Sequence, residues 1–121
     1  MKAFLQSFVF AWRGIRFAWR GRNFRVQVAF ALITMILGFQ LDITSTEWAA
    51  VLILIAMVLS AEIINSSLEN LVNFVSPEYH PLAGKIKDLA AGAVLVIAII
   101  SVLVGLIIFV PYFLRLLNLP A

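Results

Sequence analysis

Trp48-Ala49-Ala50-Val51-Leu52-Ile53-Leu54-Ile55-Ala56-Met57-Val58-Leu59-Ser60-Ala61-Glu62-Ile63-Ile64-Asn65-Ser66-Ser67-Leu68-Glu69 begins as uncharged hydrocarbon and ends with two carboxylates. The apolar half suits a bilayer, where an ionised acid costs roughly 2.5–3.5 kcal/mol at mid-depth even on lenient insertion scales. Glu62, Asn65, Ser66 and Glu69 fall at i, i+3, i+4 and i+7, so a helix turning about 100° per residue carries them on one narrow stripe. A polar packing seam, or neutralisation by protonation, would account for one such acid near a helix end. Two acids with an amide and a hydroxyl between them on one face point to a functional site.

The composition around this stretch is that of an integral membrane protein. Of 121 residues 64% are hydrophobic and the mean hydropathy is +1.07, against roughly half apolar in a globular domain. The length suits a single domain, 1–121. With no cysteine there is neither a disulfide framework nor a thiolate metal site. The net charge of +3 does not point to nucleic acid, because the basic residues cluster beside apolar segments, where they favour anionic lipid head groups.

Residues 1–22 are too interrupted by arginine to span a bilayer or to be a cleaved signal peptide. Phe8, Trp12, Ile15 and Trp19 recur at helical spacing, and Arg13, Arg16 and Arg20 form a second stripe about 100° round. This predicts a helix lying in the membrane interface, its tryptophans at headgroup depth and its arginines toward phosphate. An amphipathic helix packed on its own protein is compatible with the same pattern.

Arg22-Asn23-Phe24-Arg25 is expected to form a polar turn, followed by a first span over about 26–41. That span is short, about 24 Å at 1.5 Å per residue. Asp42-Ile43-Thr44-Ser45-Thr46-Glu47 is an acidic connection in which Ser45 or Thr46 is the expected cap. The second span covers about 47–74, and Ser76-Pro77-Glu78-Tyr79-His80-Pro81-Leu82-Ala83-Gly84 is the main non-helical linker. Lys85-Ile86-Lys87-Asp88 opens the third span, about 85–113, where Ala90, Ala91, Gly92 and Ala93 offer a surface for close helix packing. The expected fold is therefore all-α, with a surface helix and three transmembrane helices. Lys2, the arginines through Arg25, Lys85 and Lys87 share one side of the membrane and Arg115 lies opposite, which makes the first side cytoplasmic. The acidic stripe opens toward it.

Phosphate loops, dinucleotide motifs, zinc-protease motifs and serine triads are all absent, and His80 sits in a Pro-flanked loop with no partner at a catalytic spacing. A carboxylate pair suits magnesium, which one or two carboxylates usually hold together with substrate phosphates. The other carboxylate can accept a proton from an attacking hydroxyl, and Lys85 or Lys87 can neutralise phosphate charge. The same residues allow a cation or proton pathway, although its charges would have to be spread through the membrane rather than gathered on one side.

Ala61-Glu62-Ile63-Ile64-Asn65-Ser66-Ser67-Leu68-Glu69, then Ser76-Pro77-Glu78-Tyr79-His80-Pro81, then Gly84-Lys85-Ile86-Lys87-Asp88-Leu89-Ala90-Ala91-Gly92-Ala93-Val94 resemble the small prokaryotic integral-membrane diacylglycerol kinase family, which includes undecaprenol kinases. The resemblance extends to Trp12-Arg13-Gly14-Ile15-Arg16 and Asn23-Phe24-Arg25 and covers nearly the whole chain. It implies a homotrimer in the bacterial cytoplasmic (inner) membrane, with N-terminus and active site cytoplasmic. The implied reaction moves the γ-phosphate of MgATP to the primary hydroxyl of diacylglycerol or undecaprenol. It further implies Glu62 as general base, Glu69 as magnesium ligand, Asn65, Asn73, Lys87 and Asp88 as nucleotide-binding, and Ser66, Tyr79, His80, Trp12 and Arg16 as further site residues.

Two departures from the family pattern bear on activity. An acid that helps hold metal usually stands between the surface helix and the N-F-R turn, where this chain has Arg20-Gly21-Arg22. An aspartate usually occupies the position of Asn73. Gln27 also stands where many relatives have histidine or glutamate. A catalytically impaired scaffold that binds lipid or nucleotide is the alternative these departures leave open.

Overall fold

The computed structural model describes residues 1–118, the side chain of Ala3 excepted. Four helices follow one another: α1 (Lys2–Ala18), α2 (Arg22–Gln40), α3 (Ser45–Val75) and α4 (Pro81–Leu116). The last three are long and apolar enough to cross a membrane. Their apolar side chains lie largely exposed, as hydrocarbon-facing helices require and a soluble protein could not tolerate.

The break between α1 and α2 falls at 19–21, earlier than the expected polar turn. Arg20 and Gly21 donate their backbone N–H groups to Phe17 and Ala18, closing α1, and Gly21 is extended as the N-cap of α2. Arg22-Asn23-Phe24-Arg25 is instead the first turn of α2. Phe24 is buried and meets Trp19 edge-on at 6.3 Å between ring centroids, a contact that ties the two helices across the bend.

Thr44 caps α3, ahead of the expected Ser45 or Thr46. Its hydroxyl accepts from the Glu47 N–H while Glu47 reaches back to the Thr44 N–H at 2.8 Å, a reciprocal box that only this register permits. The second linker is also shorter than expected. Pro81 opens α4 at a position that lacks an N–H partner in any helix, and His80 Nδ1 accepts from Leu82 N at 3.2 Å as the N-cap. Residues 81–84, expected as loop, are thus helical.

α3 is the central element, with α1, α2 and α4 all packed on it. Two side-chain hydrogen bonds set the antiparallel register of α3 and α4: Lys87 Nζ to Asn73 Oδ1 at 3.0 Å near one end, and Tyr112 Oη to Glu47 Oε2 at 2.8 Å near the other. Between them Ala98 comes level with Glu62. Gln27 against Glu62 and Gly38 against Trp48 set the register of α2 and α3. The start of α2 is consequently level with about Ser67, and α3 runs on past it by about 12 Å. The Asn73 and Lys87 end of the bundle therefore projects beyond the shortest span.

Candidate functional site

The stripe expected from the sequence is formed by one face of α3. Glu62 and Asn65 are 5% and 6% exposed, the only buried polar or charged side chains among the described residues. Gln27, reaching from α2, donates through Nε2 to Glu62 Oε2 at 3.0 Å. One turn further along α3, Asn65 donates through Nδ2 to Glu69 Oε1 at 3.1 Å. Each glutamate thus has one oxygen held by an amide and the other left available, which fixes the side-chain rotamers without consuming the chemistry. Both amides keep a buried carbonyl oxygen with no partner, Gln27 Oε1 and Asn65 Oδ1. Such unpartnered oxygens are rare in protein interiors.

Two cavities lie toward the two ends of the stripe. One, of about 370 Å³, lies between α2 and α4 with α3 as its floor, and its walls are apolar apart from Gln27, Thr34 and Ser101. Thr34 and Ser101 turn their hydroxyls back to the carbonyls of Phe30 and Ile97 in their own helices. The other cavity, of about 350 Å³, is polar and lined by Asn73, Ser76, Glu78, Tyr79, His80, Lys87 and Asp88. From Glu62 to Asn73 along α3 is about 16 Å, and all the polar residues of the stripe lie between.

Of the residues expected at the site, Asn65 and Glu69 are hydrogen-bonded to each other, Glu62 lies on the same face bonded to Gln27, and Ser66 is half-buried on that face. Asn73, Lys87, Asp88, Tyr79 and His80 come together around the polar cavity. Asn73 keeps an acceptor for Lys87, although the ion pair an aspartate would make is gone. Trp12 and Arg16 lie exposed on α1, and neither is tied to the stripe by a hydrogen bond or ring contact. Gln27 was not singled out as a site residue, because a lone amide one turn into an apolar helix reads as a tolerated interruption until its partner is known.

A divalent cation would find oxygen donors along this face. Glu69 has a carboxylate oxygen left over, and the unpartnered Asn65 Oδ1 lies on the same face one turn away. These are the hard oxygen donors magnesium takes. Among the described residues no group of three acidic or histidine side chains is assembled. The protein therefore fits a cation that brings phosphate oxygens as its remaining ligands, rather than one caged by protein alone. No carboxylate stands at Arg20-Gly21-Arg22 to add to the set.

Residues 9–109 match the family model described as prokaryotic diacylglycerol kinase. The chain is 41% identical to the undecaprenol kinase of Bacillus subtilis (strain 168) over 112 residues, 92% of this chain and 91% of that one. It is 30% identical to the diacylglycerol kinase of Escherichia coli (strain K12) over 105 residues, 86% of each chain. To the diacylglycerol kinase of Helicobacter pylori (strain J99) it is 33% identical over 96 residues, 78% of this chain and 75% of that one.

Proposed function

Because the chain belongs to the prokaryotic diacylglycerol kinase family, we propose that it moves the γ-phosphate of ATP to the primary hydroxyl of diacylglycerol or undecaprenol at the cytoplasmic face of the bacterial inner membrane. It is a lipid kinase and a multi-pass membrane protein. The observation that carries the detailed reading is the polar stripe of α3, which runs from Glu62, tied to Gln27 at the edge of the apolar cavity, to Asn73 and Lys87 at the polar cavity. A lipid alcohol and a nucleotide must meet between two such environments, since one carries long hydrocarbon chains and the other several charges.

Glu62 is assigned to take the hydroxyl proton as the alcohol oxygen bonds to the γ-phosphorus and the bond from that phosphorus to the departing ADP oxygen breaks. It lies about 7 Å along the helix axis from the level of Arg22, where the first span begins, near the end of the bundle where the polar terminus of a membrane alcohol would lie. Glu69 and Asn65 would hold magnesium, which when bound neutralises phosphate charge and draws the terminal phosphoryl group into line. Lys87 and Asp88 face the polar cavity and are assigned to the nucleotide, the lysine to its phosphates. Ser66, Tyr79 and His80 border the same path. The exposed tryptophans and arginines of α1 are assigned to the interface, with anionic head groups against the guanidinium groups. The same reading includes a homotrimer, which would cover part of the exposed apolar surface.

Gln27 pairs with Glu62 and Asn73 pairs with Lys87, so two of the departures from the family pattern keep polar partners, which supports a working enzyme over a scaffold. The test is transfer of labelled γ-phosphate from ATP, with magnesium, to dioleoylglycerol and to undecaprenol in mixed micelles. Transfer to either supports the reading, and the faster one names the acceptor. Absence of transfer to both, from folded protein, overturns it.

A further inference from the structure

Ser66 carries a hydroxyl that the fold leaves unused. Within a helix such a group commonly turns back to the carbonyl four residues earlier, and Thr34, Ser67 and Ser101 do so at 2.9, 2.8 and 2.8 Å. Ser66 Oγ makes no hydrogen bond to any described residue, although the residue is half-buried. Ser60 shares that freedom, but it is exposed about 160° round α3 from Glu62, outside the site. The position of Ser66 gives its proton a use. It lies about 6 Å along the helix axis from Glu62 and about 4.5 Å from Glu69, within about 60° of both round the helix. Glu62 is assigned to the lipid hydroxyl and Glu69 to magnesium, so a γ-phosphoryl group that meets both has to lie over the turn between them. Two polar side chains of that turn face the site. Asn65 points its amide at Glu69, and Ser66 is the one whose donor no described residue engages. From α4 the residue level with Ser66 is Val94, which offers no side-chain donor. Lys87 stands level with Asn73, about 10 Å further toward the polar cavity.

We propose that Ser66 donates its hydroxyl hydrogen bond to a non-bridging oxygen of the γ-phosphoryl group, holding that group between the base at Glu62 and the cation at Glu69. The match is one of chemistry as well as place. An O–H donor suits an oxygen that carries charge throughout the transfer, and being neutral it does not compete with Lys87 for the rest of the triphosphate. Ser66 keeps its own proton. The lipid oxygen bonds to phosphorus, the bond from phosphorus to the ADP oxygen breaks, and the lipid hydroxyl proton goes to Glu62. The products are a phosphorylated lipid, ADP and a protonated Glu62. Ser66 is then a catalytic residue whose only contact with the nucleotide is the γ-phosphate, so it favours ATP over ADP. The inference rests on the lipid-kinase reading and deepens it.

The deciding experiment compares Ser66→Ala with wild type in nucleotide binding as well as turnover. The hydroxyl is unpaired and alanine is the better helix former, so thermal unfolding of Ser66→Ala in detergent should come no lower than that of wild type. Affinity for a non-hydrolysable ATP analogue with magnesium should fall about ten- to hundredfold, the range for a hydrogen bond to a charged group, while affinity for ADP should stay within about twofold. The kcat/KM for ATP should fall by a similar factor, and the KM for lipid should not move. Ser66→Thr, which keeps a hydroxyl, should recover much of both losses. Equal loss of analogue and ADP affinity in Ser66→Ala, or no loss of either, overturns the proposal by placing the hydroxyl away from the γ-phosphate. A lowered unfolding temperature overturns it by making the hydroxyl structural. Wild-type protein that phosphorylates no lipid removes the kinase reading and this inference with it, whereas an active wild type with an unaffected Ser66→Ala removes the inference alone.

Discussion

Gln27 Nε2 lies 3.0 Å from Glu62 Oε2, joining the first span to the second at the buried carboxylate, with Gln27 also lining the apolar cavity. The bond orients Glu62 before any substrate arrives. A carboxylate free to rotate would need ordering in each catalytic cycle, and holding one oxygen removes that requirement.

If Glu62 takes the hydroxyl proton, Glu62→Gln should retain the fold and lose turnover. The amide has the same shape and can still pair with Gln27, but it cannot accept a proton. We expect kcat to fall by about 10²- to 10⁴-fold, the usual worth of a positioned general base, with little change in lipid KM. Steady-state phosphoryl transfer in mixed micelles measures both quantities, and a variant within a few-fold of wild type would remove Glu62 from the chemistry.

Glu69 depends on Asn65 as Glu62 depends on Gln27. Chelation should abolish activity and added magnesium restore it. Glu69→Gln should demand far more magnesium, having lost the charge that competes with water for the ion. Asn65→Leu should raise the magnesium concentration for half-maximal rate by about 10- to 100-fold, the range seen when partners of metal ligands are removed. A magnesium titration of initial rates tests all three, and a normal requirement in Glu69→Gln would move the ion elsewhere.

Lys87 is held at 3.0 Å by an asparagine rather than by an acid. Its positive charge is uncompensated by that partner and available to phosphate. Lys87→Met should raise the KM for ATP by tenfold or more, since hydrogen bonds to charged groups contribute about 1.5–3 kcal/mol, and should leave lipid KM alone. Asn73→Asp separates two effects of the acid: a pair with Lys87 competes with phosphate, whereas an added ligand aids metal binding. A higher ATP KM with an unchanged magnesium requirement would show that pairing dominates.

The stripe on α3 was legible because helical period and hydrocarbon content are both local properties, so Glu62, Asn65, Ser66 and Glu69 could be put on one face before any fold was known. The three spans were legible for the same reason. The boundaries were less so. Pro81 and Gly84 read as loop residues, yet proline fits the first turn of a helix as well as it fits a turn, and only the His80 cap distinguishes the two. Likewise Thr44, Ser45 and Thr46 are equal candidates by residue type, and the capping box selects Thr44 because it lies three residues before Glu47. The significance of Gln27 could not be read at all, since its partner is 35 residues away and pairing between helices leaves no periodic mark.

The far end of the bundle tests whether the α2–α3 hairpin sets the register that delivers Gln27 to Glu62. At Gly38 a Cβ would stand 3.0 Å from Trp48 Cη2 and Cζ2 and 3.1 Å from Ile43 Cδ1, so the glycine permits a close approach that fixes the two helices. Gly38→Ala gains about 1 kcal/mol of helix propensity but overpacks this contact, which costs typically 1–3 kcal/mol. The net effect should be destabilising by about 1 kcal/mol. In a Trp48→Phe background the benzo edge of the indole is gone and the Ile43 methyl group can rotate away. There the same Gly38→Ala change should become neutral or stabilising. Thermal unfolding of the four proteins in one detergent, as a double-mutant cycle, measures the coupling. The sign reversal is the expected outcome; equal destabilisation in both backgrounds would mean that Trp48 is not what Gly38 accommodates, and that another contact sets the hairpin register.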